Sequence, residues 1–521
     1  MNVKSIVKRF THDKDSRAFI THNRDTWSGT DQSKADGIVL LYYSDIPLVI
    51  IADSYFTNIL ARKYNAKIVA FSSTRRGFPW NALYSKKDEL FRSFNTQGFI
   101  RTELNRAQEG IKRKIVPEIT KSIKTKQDVY DLTIDGIWIG IDIYETYLRI
   151  NNKPTIDLKD QTLYQTIEQA VGILVFWRDY IKQNSVKAIV VTHDVYIFEN
   201  ILCKLGYQNN IPVYLPNVIG GCHAQKPFSV YDPLLKDYPA IFRRLSPEQQ
   251  QEGLKLAERQ LQRRLSGEVG VDMHYSTKSA FSTKTPTQTV LKKSDKIKVL
   301  ICSHCFYDNP HAYGKILFVD FYEWLCFLGE MTLKTDYDWY IKMHPDPLPG
   351  TEEIIKGIIA KYPKIIFIPS ETSHLQLVAE GLNFVLTVYG SVGHELAALG
   401  VQVINAGFNP HIAYDFNWHP QTLAEYERYL LDLAQLKKPI NPREIYEFYY
   451  MNYYYRDVDD LVLNSYREYE QKSVKTKEPA TAVYKYFLDH LTDQKHQNIC
   501  AQYLQFIESQ KQYFRDKDKK A

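Results

Sequence analysis

WYIKMHPDPLPG (Trp339–Gly350), KIIFIPSETSHLQLVAEG (Lys364–Gly381) and NFVLTVYGSVGHELAALGVQVINAG (Asn383–Gly407) are three consecutive pieces of one pattern. Short apolar runs alternate with helix-type segments, and polar residues stand at each junction. The runs Trp339–Met343, Lys364–Ile368, Phe384–Tyr389 and Val401–Ala406 predict strands; Thr351–Tyr362, His374–Gly381 and Ser391–Leu399 predict helices. That alternation predicts a parallel sheet with crossover helices. Ligands of such sheets bind beyond the carboxyl ends of the strands. The residues there are Lys342, His344 and Pro345, then Ser370–His374, then Gly390–Glu395, a set suited to an anionic, nucleotide-like ligand.

Working outward, Ile297–Cys302 predicts a first buried strand and Phe318–Leu333 a helix, so an α/β domain covers residues 296–430. Before it, Ser246–Leu265 (SPEQQQEGLKLAERQLQRRL) predicts a capped, charged helix, and Ser276–Asp295 has linker composition. Residues 231–295 are therefore expected as a helical and linker insertion. After residue 430 the chain is helical and Tyr-rich, a C-terminal segment over 431–521.

The first half, 1–230, reads as a second Rossmann-like domain. Gly37–Tyr43 and Lys67–Ser73 predict strands flanking an amphipathic helix from Asp53 to Tyr64, with Asp53 and Ser54 as N-cap candidates. Residues 1–36 predict loose order, and 83–127 predict charged helix. Alternation through Ile137, Ile139, Ile141 and Ile143 predicts a strand, with Asp142 near its end. Lys187–Val191 is a buried strand ending in His193 and Asp194, candidates for acid/base work or for gripping a sugar hydroxyl.

A chain of 521 residues exceeds one core and predicts two or more domains. Lys plus Arg exceed Asp plus Glu by 66 to 60, a mild excess that fits an anionic substrate or a membrane surface but excludes a nucleic-acid footprint. The 38 tyrosines suit half-buried surfaces or carbohydrate platforms. Cys302 and Cys305 have no second pair at zinc spacing, so no metal site is expected. No signal or membrane-spanning run is visible, and a cytoplasmic location is expected, with any contact to the inner face of the membrane peripheral.

Within GSVGHE, Gly390 ends a strand, Ser391 is placed to cap the next helix, and its first-turn N–H groups predict an anion site. Gly393 would let a phosphate approach the backbone, and Glu395 is either favourable with the helix dipole or an acceptor for ribose hydroxyls. Lys342 and His344 could neutralise phosphate charge on a departing nucleotide. The hydroxyls of Ser370 and Ser373 suit phosphate or base edges.

The order K-x-HP, a polar turn, then V-x-G-S-x-G-x-E-L-A-x-x-G-x-x-V-x-x-x-G resembles bacterial capsule and surface-polysaccharide biosynthesis proteins, including the family of the Kdo transferases that use CMP-Kdo. The HP dipeptide is also similar to that of CMP-sialic-acid-dependent sialyltransferases and CDP-glycerol glycerophosphotransferases. The match is confined to about residues 297–407, with IGIDIYETYLR as a thin extension. The resemblance implies GT-B architecture: two Rossmann-like domains facing across a cleft, the second holding the activated donor. It puts phosphate contact on His344 and Pro345, and donor binding on Ser391, Gly393 and Glu395. It implies a nucleotide-sugar-dependent glycosyltransferase without cofactor or metal. The donor would be a nucleotide-sugar, an ulosonic acid such as Kdo on CMP being one candidate, and the acceptor a glycan or glycolipid. Asp53, Asp142, His193 or Asp194 would activate the acceptor or act as nucleophile. A CDP-polyol phosphotransferase of the same architecture and a non-catalytic glycan-binding protein are the alternatives.

Overall fold

Gly37–Tyr42 (β1, GIVLLY) is apolar throughout, with Gly37 and Val39–Leu41 buried and Ile38 and Tyr42 half-buried, the character of a central parallel strand. In the computed structural model, which describes residues 12–27, 35–72, 81–217, 221–224, 233–272, 278–281, 288–344, 347–455, 478–510 and 514, it lies inside the first of two sheets. The chain divides into two compact units. One takes Met1–Thr146, Lys159–Phe228 and Val458–Asp516; the other takes Tyr147–Leu158, Ser229–Asp457 and Lys517–Ala521. Each carries its own sheet, so the expectation of an α/β protein with two Rossmann-like domains and C-terminal helices holds.

In the first unit the strands are β1, β2 (Ala66–Ser72), β3 (Thr96–Arg101), a small hairpin β4 (Thr133–Ile134) and β5 (Ile137–Trp138), β6 (Val186–Val190), β7 (Val213–Asn217) and β8 (Gly221–Ala224). The six-stranded sheet runs β3-β2-β1-β6-β7-β8, parallel except for β8 at the edge. The helices Ala482–His490 and Asp493–Ser509 belong to this core. Tyr484 stacks on Phe19 at 4.5 Å, and Tyr503 meets Phe56 edge-on at 4.9 Å.

Four expectations for this unit change. Residues 14–27 form a helix burying Phe19, Ile20 and Trp27; its inner stripe includes Ser16 and Asn23, which hides the helical period. The helix expected from Asp53 begins instead at Pro47, at a first-turn position that suits proline. Every residue from Ile50 to Ala61 is buried, so Asp53 and Ser54 are interior residues and not caps. The charged segment 83–127 is interrupted by β3, an edge strand with a mostly half-exposed, polar pattern. Its preceding helix is stopped by Asn95 in the left-handed region, φ 60°.

The strand expected through Ile143 is a hairpin followed by a helix. Asp135 and Gly136 both have positive φ, the two-residue turn that joins β4 to β5. The helix Gly140–Asn151 then starts at a glycine whose Cβ would lie 2.2 Å from the Tyr130 carbonyl. Ile141 through Leu148 are buried without a break, so no stripe marks this helix in the sequence.

The second unit has β9 (Lys298–Cys302), β10 (Asp338–Lys342), β11 (Ile365–Ile368), β12 (Phe384–Thr387) and β13 (Gln402–Asn405), all parallel, in the order β11-β10-β9-β12-β13. Every strand expected from the sequence is present. The stretch 231–295 is built into this unit and does not stand apart as an insertion. The helix Pro247–Leu265, started by a capping box between Ser246 and Gln249, packs on the helix Pro442–Tyr453, where Tyr450 fills the space beside Gly253. The described part of the linker-like stretch is laced down: Glu380 accepts the N–H groups of Val290 and Leu291, and the Tyr340 hydroxyl accepts that of Lys292. Thr155 donates to Asp320 at 2.6 Å, tying 147–158 to the same unit. Among the described residues no helix is long and apolar enough to cross a membrane.

Candidate functional site

In the second unit the strand order reverses between β9 and β12, because the chain winds outward through β10 and β11 and returns to the other side. Ligands of doubly wound sheets bind in the crevice at that point. A cavity of about 540 Å³ opens there, within the range of a nucleotide-sized pocket. It is lined by the ends of β9 (Ser303, His304), β10 (Lys342, His344) and β12 (Thr387, Gly390, Ser391), with Arg264 and Tyr453 from the two packed helices.

Its floor holds polar atoms without partners. Lys342 is 2% exposed, and its Nζ makes no hydrogen bond among the described residues. Burial lowers its pKa, against the charges of Cys302, Glu371 and Glu395. Ser303 Oγ, His374 Nδ1 and Arg264 Nη1 are likewise buried and unpaired. Native interiors pair nearly all such groups, and an unpaired buried ammonium is among the costliest exceptions. The cluster is thus prepared for an anionic partner with several acceptor oxygens.

GSVGHE is placed as expected at the strand end, yet works differently. Ser391 precedes the short helix Val392–Ala397 without making a side-chain cap. The N–H groups of Gly393 and His394 are already taken by the carbonyls of Gly390 and Ser391, and a six-residue helix has little dipole to offer. A Cβ on Gly393 would lie 2.4 Å from His411 Cε1, so this glycine makes room for an imidazole rather than a phosphate.

Glu395 lines the cavity, is 1% exposed and accepts from Arg264 Nε at 3.0 Å, so one of its carboxylate oxygens is already engaged by a cation. Arg264 also lies 3.7 Å from Asp272, and the Tyr449 hydroxyl donates to Asp272 at 3.2 Å. Asp272, His394 and Glu395 bring possible ligand atoms within 4.8 Å of one another, but the Arg264 guanidinium already supplies the positive charge between the carboxylates.

Of the other expected residues, His344 is exposed and lines the cavity, while Pro345 lies outside the described residues. The turn Ser370–His374 contributes His374 to the lining; Ser370 contacts Glu371, and Ser373 caps the helix His374–Ala379. His304, Arg264, Asp272 and His411 escaped the sequence reading. Only Arg264 had a signal, since Gly253, Ala257, Leu261 and Arg264 form the buried stripe of their helix.

The first unit has its own reversal, between β1 and β6. Thr192, just past β6, donates from Oγ1 to Asp53 at 3.1 Å. Glu199 accepts the N–H groups of Thr192 and His193 at 2.9 and 3.0 Å. Burial pushes Asp53 well up and Glu199 up to about 8. Between them Tyr196 has φ 66° at the head of a π-turn, Tyr196–Asn200, a strained arrangement typical of functional positions. His193 is exposed and Asp194 half-buried in this turn. Asp142 sits on the helix Gly140–Asn151, 2% exposed, accepting from Asn200 and Lys204 at 2.8 Å each, which makes it a structural anchor rather than a strand-end acid.

No family model and no curated protein matches the chain. Among solved structures it is similar to the Thermosulfurimonas dismutans KpsC, a beta Kdo 2,4 transferase, at 14% identity over 51% of this chain and 79% of that one, with a TM-score of 0.30. It is also similar to the wall teichoic acid polymerase TagF at 14% identity, over 98% of this chain and 96% of that one, with a TM-score of 0.16. A third is the Neisseria meningitidis UDP-GlcNAc 2-epimerase, at 11% identity over 79% and 96%, with a TM-score of 0.20. At such scores these likenesses fix neither fold nor activity.

Proposed function

We propose that the protein is a GT-B glycosyltransferase of bacterial surface-glycan synthesis, moving a sugar from a nucleotide donor to a glycan or glycolipid acceptor. The second unit is the donor half. The observation that supports it best is the buried Lys342 ammonium, without a hydrogen-bond partner among the described residues, in a cavity at the sheet's reversal point. There it would bind the donor's phosphate and offset the negative charge that grows on it as the glycosidic bond breaks. His344, exposed beside it, would add a second contact to the leaving phosphate.

The first unit is the acceptor half. Glu199, held to about 8, carries a carboxyl matched to proton exchange near neutral pH, with Asp53, His193 and Asp194 grouped on the same turn and its neighbour. An ulosonic acid on CMP is the donor the sequence resemblance favours. Purified protein incubated with CMP-, CDP-, UDP- and GDP-linked sugars and a glycan acceptor should release one nucleotide as glycan product forms. His344→Ala should abolish that release without changing the melting temperature; near-normal turnover would overturn the assignment. Phosphorus retained in the glycan would instead identify polyol-phosphate transfer.

A further inference from the structure

His304 was singled out by no motif, yet it occupies the point where the sheet reverses. It follows β9 and reaches across to the end of β12, where its Nε2 accepts the Val388 N–H at 3.0 Å and lies 2.9 Å from Thr387 Oγ1. A ring nitrogen that accepts a backbone N–H carries no proton, so the imidazole proton sits on Nδ1. Phe321 stacks on the ring at 4.6 Å and Tyr389 packs against it at 4.7 Å, which fixes its plane. His304 lines the same cavity as Ser303 and Lys342, and its contacts with Thr387 and Val388 both run through Nε2, which leaves Nδ1 on the opposite edge of the ring.

We propose that His304 is a neutral donor of fixed tautomer, whose Nδ1–H binds a phosphate oxygen of the nucleotide held beside Lys342. This rests on the reading of the cavity as a nucleotide site. Burial, reinforced by the charge of His344, lowers its pKa to about 3, so the ring stays neutral through the physiological range. A neutral donor supplies direction where Lys342 supplies charge, and it does so without placing a second cation in the same cavity. Its contribution is a hydrogen bond to the ligand rather than transfer of a proton.

Two substitutions separate its two edges. Glutamine places an amide oxygen near the Nε2 position and keeps the acceptor for Val388, but offers no donor near Nδ1. Asparagine places a donor near Nδ1 and loses the acceptor. Binding of CMP, and of cytidine as the phosphate-free control, is measured by titration calorimetry on the full-length chain. His304→Gln should weaken CMP about tenfold, the size of one charge-assisted hydrogen bond, and leave cytidine unchanged. His304→Asn should keep the ratio of CMP to cytidine affinity while lowering the melting temperature. Unchanged CMP binding in His304→Gln, or a collapsed ratio in folded His304→Asn, overturns the assignment alone. Wild-type protein that binds neither CMP nor another nucleotide overturns the underlying reading and this assignment with it.

Discussion

Arg264 Nε lies 3.0 Å from Glu395 Oε1, with the guanidinium side chain 6% and the carboxylate 1% exposed. The pair joins the helix Pro247–Leu265 to the short helix behind β12, and Asp272 completes it at 3.7 Å. Burial raises the Glu395 pKa, while Arg264 opposes that rise. Removing the cation leaves two buried carboxylates uncompensated. Arg264→Ala should therefore destabilise the second unit by about 3–5 kcal/mol, read as a lower urea midpoint. A loss below about 1 kcal/mol would show that the pair is not the anchor described.

Gly393 offers a test of structure against ligand binding. Its missing Cβ is replaced by the His411 ring, with a built Cβ 2.4 Å from Cε1 and 2.7 Å from Nδ1. Gly393→Ala should cost about 1–3 kcal/mol in folding through overpacking, in the absence of any ligand. Unchanged stability with lost nucleotide binding would restore the phosphate role expected from the sequence.

The surroundings of His394 and Glu199 should respond oppositely to pH. His394 is fully buried, and burial with the Arg264 charge lowers its pKa to about 3. An unfolded imidazole titrates near 6.5, so between those values the unfolded chain binds more protons. The stability this group contributes is present above 6.5 and falls as pH drops, by about 1.4 kcal/mol per pH unit. Burial shifts His374 and His411 in the same direction. Glu199 in the first unit is raised to about 8, so its contribution is present below the unfolded carboxyl value and is lost as pH rises toward 8. Hydrogen exchange read peptide by peptide at about pH 7 and about pH 5 should show protection falling around His394 and rising around Glu199. Protection around His394 that does not change would contradict the account.

How far the sequence could be read follows from which residues report on themselves. The second sheet was legible because β9, β10 and β12 are continuous apolar runs separated by polar turns. The helix Gly140–Asn151 was not, because a helix buried all round has no stripe, and Ile137, Ile139, Ile141 and Ile143 mimic a strand's period. Lys342 and His344 were legible as candidates because they stand at a strand end, and both line the cavity. The surroundings of Gly393 and Glu395 were not legible because Arg264, Asp272 and His411 come from other segments of the chain. Glu199 lay hidden inside an apolar helical run, where only the tertiary position of Thr192 and His193 gives it meaning.

Lys342 carries the central claim. A buried ammonium with no hydrogen-bond partner among the described residues costs stability, so Lys342→Met should fold at least as well as the wild type. The same change removes the charge that a donor phosphate would meet. The most direct measurement is calorimetric titration of CMP, CDP, UDP and GDP into wild-type and Lys342→Met protein. The account predicts that one of these nucleotides binds the wild type and binds the variant at least about tenfold more weakly, with melting temperature unchanged or raised. Equal affinity for wild type and variant, or no binding of any nucleotide to the wild type, would contradict it.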